Sequence, residues 1–178
     1  WYSHMSKKYR YFRSQSTTLN QHFAAFNPRI GLIYSPFKGE DVQLFGNLSR
    51  SYEPPTFDEL VGTEVTTNIN TSPKRLYAIA LDKQTATTLE LGSKGRTTRF
   101  SWNVAAYRSW VQNEILEVKD YVRGIKRTEN YPTTLHQGVE VGLNAVVADN
   151  PWGINAGKLT LGGVYNFSDF RFSGGKYQ

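Results

Sequence analysis

The sequence predicts an all-β protein whose antiparallel strands run up and down, as in a transmembrane β-barrel. Three observations support this class. Apolar and polar residues alternate along several stretches, and the connections between those stretches alternate between short and long. The chain also has 11 Tyr, 10 Phe and 4 Trp, an aromatic content that suits strands and the aromatic girdles of membrane barrels.

Composition excludes several other classes. The 178 residues are 20% charged and 39% hydrophobic, too polar for a helical membrane bundle and too apolar for a disordered chain. The absence of cysteine excludes a disulfide scaffold and a thiolate metal site. Since no run approaches the ~20 apolar residues of a spanning helix, the protein is either soluble or crosses a membrane as strands. The net charge of +6 fits nucleic acid, an anionic membrane, an anionic ligand or an ordinary solvated surface.

Strand periodicity defines two faces. The stretches with alternating residues are Val42–Ser49, Phe100–Tyr107, Val139–Asn144 and Lys158–Phe167. We expect the apolar face to meet lipid and Glu140 to lie on the opposite face. The residues predicted to face lipid in the last two stretches are Val139, Val141, Leu143, Leu159, Leu161, Tyr165 and Phe167.

The lengths of the connections favour a barrel. Short turns are predicted at Pro36–Asp41, Gly92–Arg96 and Asp149–Gly153, and long polar connections at Ser51–Lys83 and Lys119–Arg127. In an up-and-down chain all short turns then fall at one end and all long loops at the other, which is the asymmetry of outer-membrane barrels. A soluble β-sandwich remains the alternative, although it does not require this sorting.

Five sequence strings resemble, in order, the barrel of TonB-dependent receptors. They are the Asn-Pro-Arg-x-Gly strand at Asn27–Tyr34, the strand and loop entry at Leu44–Leu60, the Thr-x-Glu-Leu-Gly-x-Lys-Gly string within Gln84–Gly95, and the strands at Asn113–Leu116 and His136–Leu143. Each string alone is weak, but their order and spacing together are specific. The resemblance runs from about Asn27 to Phe172.

The resemblance implies part of a receptor in the outer membrane of a Gram-negative bacterium that imports ferric siderophores or related iron chelates. The match is closer to the ferric-citrate and siderophore branch. Complete members have a TonB box, a plug domain and about 22 strands. We therefore expect residues 1–178 to be an interior barrel fragment of about seven or eight strands, without the plug domain and C-terminal strands, in a protein that contacts TonB through its missing N-terminal region. A passive porin or a surface adhesin without energy coupling is the alternative, and a plug and TonB box in the parent sequence would decide between them.

Ligand-binding candidates follow from the chemistry of ferric chelates, which are large, often anionic and partly aromatic. Such ligands suit aromatic stacking and contacts with cations. The segment Ser72–Lys83 lacks the Asn-Pro-x-Leu-x-Pro-Glu run of many members, which leaves the ligand open. Competing roles are girdle aromatics for Tyr107 and Trp110, and solvated charges or lipopolysaccharide contacts for the arginines. The candidates near the two long connections are Arg50, Tyr52, Phe57, Arg75, Tyr77, Tyr107, Arg108, Trp110, Tyr121, Arg123 and Arg127.

Catalytic and nucleic-acid functions find little support. His4, His22 and His136 lack metal-ligand spacing, and His136 is expected to make a hydrogen bond in the barrel lumen. Asp58–Glu59 is expected to cap a loop or begin a short helix. The basic aromatic run Lys7–Arg13 is typical of a strand end near lipopolysaccharide rather than of a nucleic-acid site. We expect neither an enzyme nor a cofactor, metal or nucleic-acid partner.

Overall fold

The computed structural model describes residues 2–10, 18–37, 41–65, 74–120, 125–149, 151 and 157–174; for some of them, including 2–10, 18–20, 63–65, 74–76, 120 and 125, it describes the backbone alone. These residues form strands and one turn of 3-10 helix, which confirms the all-β class. The elements are β1 (Tyr2–Arg10), β2 (Thr18–Phe26), β3 (Arg29–Tyr34), β4 (Val42–Glu53), η1 (Asp58–Leu60), β5 (Val61–Val65), β6 (Lys74–Ala78), β7 (Gln84–Arg96), β8 (Phe100–Asp120), β9 (Ile125–Asp149) and β10 (Lys158–Phe172). No helix of the described residues is long and apolar enough to span a membrane.

The main sheet is an open antiparallel wall. Strands β3, β4, β7, β8, β9 and β10 pair in that order, and β1 and β2 pair in a separate two-stranded sheet. Along the chain, the hairpin of β5 and β6 comes between β4 and β7, although these two strands pair directly in the sheet. Strand β5 also pairs with β9 at Thr63–Lys126. The meander is therefore confirmed, and the main sheet has eight of the ten strands that the described residues form, in agreement with the expected seven or eight.

Cross-strand register confirms that the sheet has two distinct faces. Val141 lies opposite Val104 on β8 and Tyr165 on β10, and opposed residues share a face. We call this the apolar face. Glu140 pairs with Ala105 and Asn166 instead, so it lies on the other side, the polar face. Both assignments agree with the sequence alternation. Of the other predicted lipid-facing residues, Val139, Leu143, Leu161 and Phe167 pair on the apolar face. Leu159 pairs with Ala148 across a register shift between Leu159 and Thr160, so the pairing does not assign its face.

A charge on the apolar face is expected to destabilise the barrel in a lipid bilayer. Val141→Arg, in the middle of this face, should lower the free energy of unfolding of the full receptor in bilayers by about 2 to 4 kcal/mol, because lipid cannot solvate the guanidinium. Asn144→Arg on the polar face of the same strand is the control and should change it little. Equal losses, measured by denaturant unfolding in lipid vesicles, would contradict the assignment of the faces.

The predicted turn at Gly92–Arg96 is wrong. Strand β7 continues through this segment to Arg96, and the chain reverses at Thr97–Arg99. Thr97 closes the turn, because its N–H donates to the Phe100 carbonyl at 2.6 Å and its hydroxyl accepts the Phe100 N–H at 3.0 Å.

Close approach by aromatic rings explains why glycines lie inside β7. A Cβ atom on Gly92 would collide with the Phe45 ring, and one on Gly95 with the Trp102 ring. The glycines therefore leave space for rings of the neighbouring strands. From the sequence alone, glycines that make room for aromatic rings cannot be distinguished from glycines in a turn.

The predicted loop at Lys119–Arg127 is also wrong. Strand β8 continues to Asp120 and β9 begins at Ile125, so most of the segment is a projecting hairpin. Glu117 accepts hydrogen bonds from Lys119 at 2.8 Å and Lys126 at 2.6 Å. These bonds, Lys119 first, hold the pKa of Glu117 below its ordinary value. The ion pairs therefore support the hairpin at neutral pH and are lost as the pH falls through that lowered pKa.

The connections sort to two ends of the wall. The connections from β3 to β4, from β7 to β8 and from β9 to β10 lie at one end of the wall, which we call the turn end. Of the turn predicted at Asp149–Gly153, Asp149 belongs to β9 and Pro151 to a turn, and residues 150, 152 and 153 lie outside the described residues. The other end, the loop end, carries residues 54–83 and the β8–β9 hairpin. The connection from β2 to β3, Asn27–Pro28, also lies at this end. The long connection 54–83 lies at the loop end as predicted, but Asn27–Pro28 at the same end is shorter than residues 97–99 at the turn end, so the connections do not sort strictly by length.

Candidate functional site

The described part of the long connection at the loop end, residues 54–65 and 74–83, is folded. The predicted loop Ser51–Lys83 begins in β4, which continues to Glu53, and it contains η1, β5 and β6. Turn η1 contacts β9. The packing forms a small core because buried side chains come from the connection and from the strands beneath it. They are Phe23, Pro55, Leu60, Leu81, Val111 and Tyr131.

One amide side chain ties the connection to the wall. Asn130 on β9 accepts the Asp82 N–H through Oδ1 at 2.7 Å and donates through Nδ2 to the Asp82 carbonyl at 2.9 Å. Its Nδ2 also donates to the Asn113 carbonyl at 2.9 Å. The amide thereby makes the two hydrogen bonds with Asp82 that a neighbouring strand would make. It holds the returning segment, residues 79–83, against β9 before the chain enters β7.

Turn η1 presents an aromatic side chain at the loop end. Asp58 and Glu59 occupy its first turn, as expected from the sequence. The Glu59 carboxylate accepts the Thr56 N–H at 2.5 Å and so satisfies a donor before the turn. Phe57 lies at the N-cap and is 54% exposed, so part of its side chain is open to solvent at the loop end.

Three neighbouring candidates on β8 lie on opposite faces. Tyr107 lies on the polar face, and its hydroxyl is 3.3 Å from the hydroxyl of Ser168 on β10. Arg108 and Trp110 lie on the apolar face, with the guanidinium carbon 5.4 Å from the Trp110 ring centroid. One site on the polar face can therefore include Tyr107, but not Arg108 and Trp110.

Arg50 and Tyr52 line a cavity of about 270 Å³ between β2 and β4. Lys83 completes it: its ammonium lies 5.9 Å from the Tyr52 ring centroid and donates to the Ala24 carbonyl. Arg50 belongs to the apolar-face register, since it pairs with Thr87, the partner of Trp110.

The remaining candidates lie on projecting elements. Tyr77 on β6 is 38% exposed and its ring covers Gly62. The backbone of Arg75 pairs with Glu64. Arg127 on β9 is exposed and forms an ion pair with Glu129. Tyr121 and Arg123 lie outside the described residues.

The structure also brings together a cluster of side chains on the polar face that the sequence does not predict. His136 Nε2 lies 3.3 Å from Glu114 Oε1 and 3.3 Å from the Thr134 hydroxyl, so His136 makes the expected side-chain hydrogen bonding on this face. The Thr134 hydroxyl also donates to Glu114. The His136 ring centroid is 4.6 Å from that of Phe170, and Phe172 pairs with Thr134. We call Glu114, Thr134, His136, Phe170 and Phe172 the inner cluster.

A backbone irregularity brings Glu114 into the inner cluster. Simple alternation from Gln112 would place Glu114 on the apolar face with Trp110. Asn113 between them has a positive φ of 54°, which asparagine tolerates better than most residues. This interrupts the alternation and directs the carboxylate to His136. Sequence periodicity gives no sign of this break.

The inner cluster offers hydrogen-bonding groups beside aromatic rings. Phe170 is 64% exposed, so its ring is open to a planar ligand. The Phe172 ring is 47% exposed and also contacts Tyr131, with ring centroids 4.5 Å apart. Within the part of the chain that the structure describes, no three His, Asp or Glu side chains are grouped to hold a metal ion. The side chains of the inner cluster offer a ligand hydrogen bonding and stacking.

The open antiparallel wall of alternating strands and the long, folded connection at its loop end are features of an outer-membrane barrel of the receptor type. A family model described as TonB dependent receptor-like, beta-barrel matches residues 2–178. The chain belongs to this family, whose members are receptors of the Gram-negative outer membrane. The match confirms the resemblance found between Asn27 and Phe172 and extends it in both directions.

A solved structure supports the same fold. The chain is similar to the crystal structure of the siderophore receptor PirA from Acinetobacter baumannii, with a TM-score of 0.52 and 15% sequence identity. The similarity covers 83% of this chain and 26% of that receptor. At this identity the likeness shows the fold alone. No curated protein matches the sequence.

Proposed function

We propose that this chain is part of an energy-coupled outer-membrane receptor that imports a ferric siderophore or a related iron chelate. The observation that carries the proposal is the family match over residues 2–178. The class of ligand is favoured by the similarity to PirA, which is a siderophore receptor. Coupling to TonB would use a region of the receptor outside these residues.

In this proposal the apolar face meets lipid and the polar face lines the lumen. The loop end then faces the exterior, because outer-membrane barrels have short periplasmic turns and longer external loops. A chelate entering from outside meets Phe57, Tyr77 and Arg127 first, and the inner cluster lies further along the polar face. The Asn130 hydrogen bonds keep the connection in place, which lowers the conformational entropy lost on binding.

Uptake by whole cells tests the proposal. Cells with and without the full receptor are given radioactive iron as ferric citrate, a ferric catecholate or a ferric hydroxamate, with a strain lacking TonB as a control. We expect receptor-dependent uptake of at least one chelate that stops without TonB. Uptake that continues without TonB would favour the passive porin, and uptake that never depends on the receptor would contradict import.

Removing one aromatic ring of the inner cluster should weaken ligand binding. Phe170→Ala in the full receptor is expected to raise the Kd of the chelate by roughly threefold to tenfold, because one stacking contact contributes about 0.5 to 1.5 kcal/mol. Phe167→Ala is the control, since Phe167 lies on the opposite face of the same strand. Equal Kd values for the two variants, from fluorescence titration, would remove the inner cluster from the binding site.

A further inference from the structure

The apolar face changes character toward the loop end. On β8, β9 and β10 the apolar residues Ala106, Val139 and Phe167 form one cross-strand row. Two rows follow it toward the loop end, and they combine cationic, polar and aromatic side chains. We call these six residues the border patch: Arg108, Gln137 and Asp169 in the first row, and Trp110, Leu135 and Arg171 in the second.

One half of the border patch holds an arginine in a fixed orientation. The Asp169 carboxylate accepts hydrogen bonds from Gln137 Nε2 at 3.0 Å and from Arg171 Nη2 at 2.6 Å. The side chain of Arg171 remains 65% exposed. A guanidinium has five N–H donors, so Arg171 keeps donors for a further anion.

The other half holds a second arginine over an aromatic ring. The guanidinium carbon of Arg108 lies 5.4 Å from the centroid of Trp110, which is 41% exposed. Among the residues that the structure describes, Arg108 forms no ion pair. Arg108 and Arg171 are separated by about 10 Å across the strands and by about 7 Å along them at the usual strand spacings. Within the patch only Asp169 offsets their charge.

We propose that the border patch binds the phosphate groups of lipopolysaccharide in the outer leaflet. The proposal rests on the outer-membrane location in the proposed function, but not on its ligand. At the external border of a barrel, tryptophan sits at headgroup level, and guanidinium groups bind phosphate bidentately. Arg108 and Arg171 thus reach phosphates just beyond the acyl chains that cover Val139 and Phe167. A phospholipid headgroup is the competing occupant.

Retention of lipid by the full receptor tests the proposal. The receptor is extracted from outer membranes in mild detergent, and lipopolysaccharide bound per barrel is measured by mass spectrometry of the intact complex. The double variant R108Q/R171Q should retain about tenfold less than wild type, as expected for the loss of two charge-assisted contacts. R99Q is the matched control: it removes one arginine at the turn end, 3.9 Å from Asp149, and should retain the wild-type amount.

Equal retention by the double variant and R99Q would overturn the proposal, and so would displacement of lipopolysaccharide by phosphatidylglycerol vesicles as readily as by added lipopolysaccharide. If the double variant fails to assemble, R171Q alone should still lose about threefold, and no loss would be equally decisive. Since the assay contains no chelate, failed iron import leaves its result intact. Absence of wild-type receptor from the outer membrane would refute the location and this proposal with it.

Discussion

Replacing Gly138 with valine is expected to prevent the wall from assembling. Gly138 lies in β9 on the polar face, where a Cβ atom would collide with the Phe167 carbonyl of β10 and approach Tyr107 Cε1 to 2.8 Å. The carbonyl is backbone and cannot move without separating β9 from β10. Overpacking alone costs about 1 to 3 kcal/mol, and here the lost strand pairing adds to it.

Gly142→Val is the matched control for this experiment. Gly142 lies on the same strand and face, but its nearest neighbour to an added Cβ is the Asn103 carbonyl at 3.8 Å. Valine favours strands, so propensity alone predicts that both variants assemble. The measurement is the fraction of full receptor in the outer membrane with heat-modifiable mobility. We expect a severe loss for Gly138→Val alone; equal fractions would show that the close approach does not matter.

The faces of the wall could be predicted from the sequence because strand alternation has a period of two. Val141 and Glu140 fall on opposite sides in both the pattern and the structure. The same rule places Tyr107 on one face and Arg108 and Trp110 on the other. Their closeness in the sequence alone suggests a single site. Their roles in ligand binding remain predictions.

The turn after β7 could not be located from the sequence, because its glycines admit two explanations. Gly92 and Gly95 satisfy a turn pattern, but they serve the rings of Phe45 and Trp102. Only the neighbouring strands distinguish the two. Similarly, the polar residues around Lys119 suggest a loop, whereas ion pairs across β8 and β9 keep them in strands.

The inner cluster depends on long-range register, which lies beyond any local pattern. Glu114 and His136 are 22 residues apart in the chain, and Phe170 reaches them only through the pairing of β9 with β10. The positive φ of Asn113 then directs Glu114 to a face that alternation assigns to other residues. A single asparagine inside a strand does not predict this.

The β5–β6 hairpin of the loop end is expected to contribute to ligand capture, whereas the turn Thr97–Arg99 is not. The N–H of Ile79 donates to the Leu60 carbonyl at 2.9 Å, so an Asn-Gly turn can join these two residues and remove the hairpin between them. The join keeps the Asn130 anchor of the returning segment. Losing Tyr77 and the other hairpin contacts should weaken chelate binding by roughly 1 to 3 kcal/mol, a tenfold to hundredfold rise in Kd. Thr98→Gly at the turn end is the control, and unchanged affinity in an assembled hairpin deletion would transfer ligand capture to other parts of the receptor.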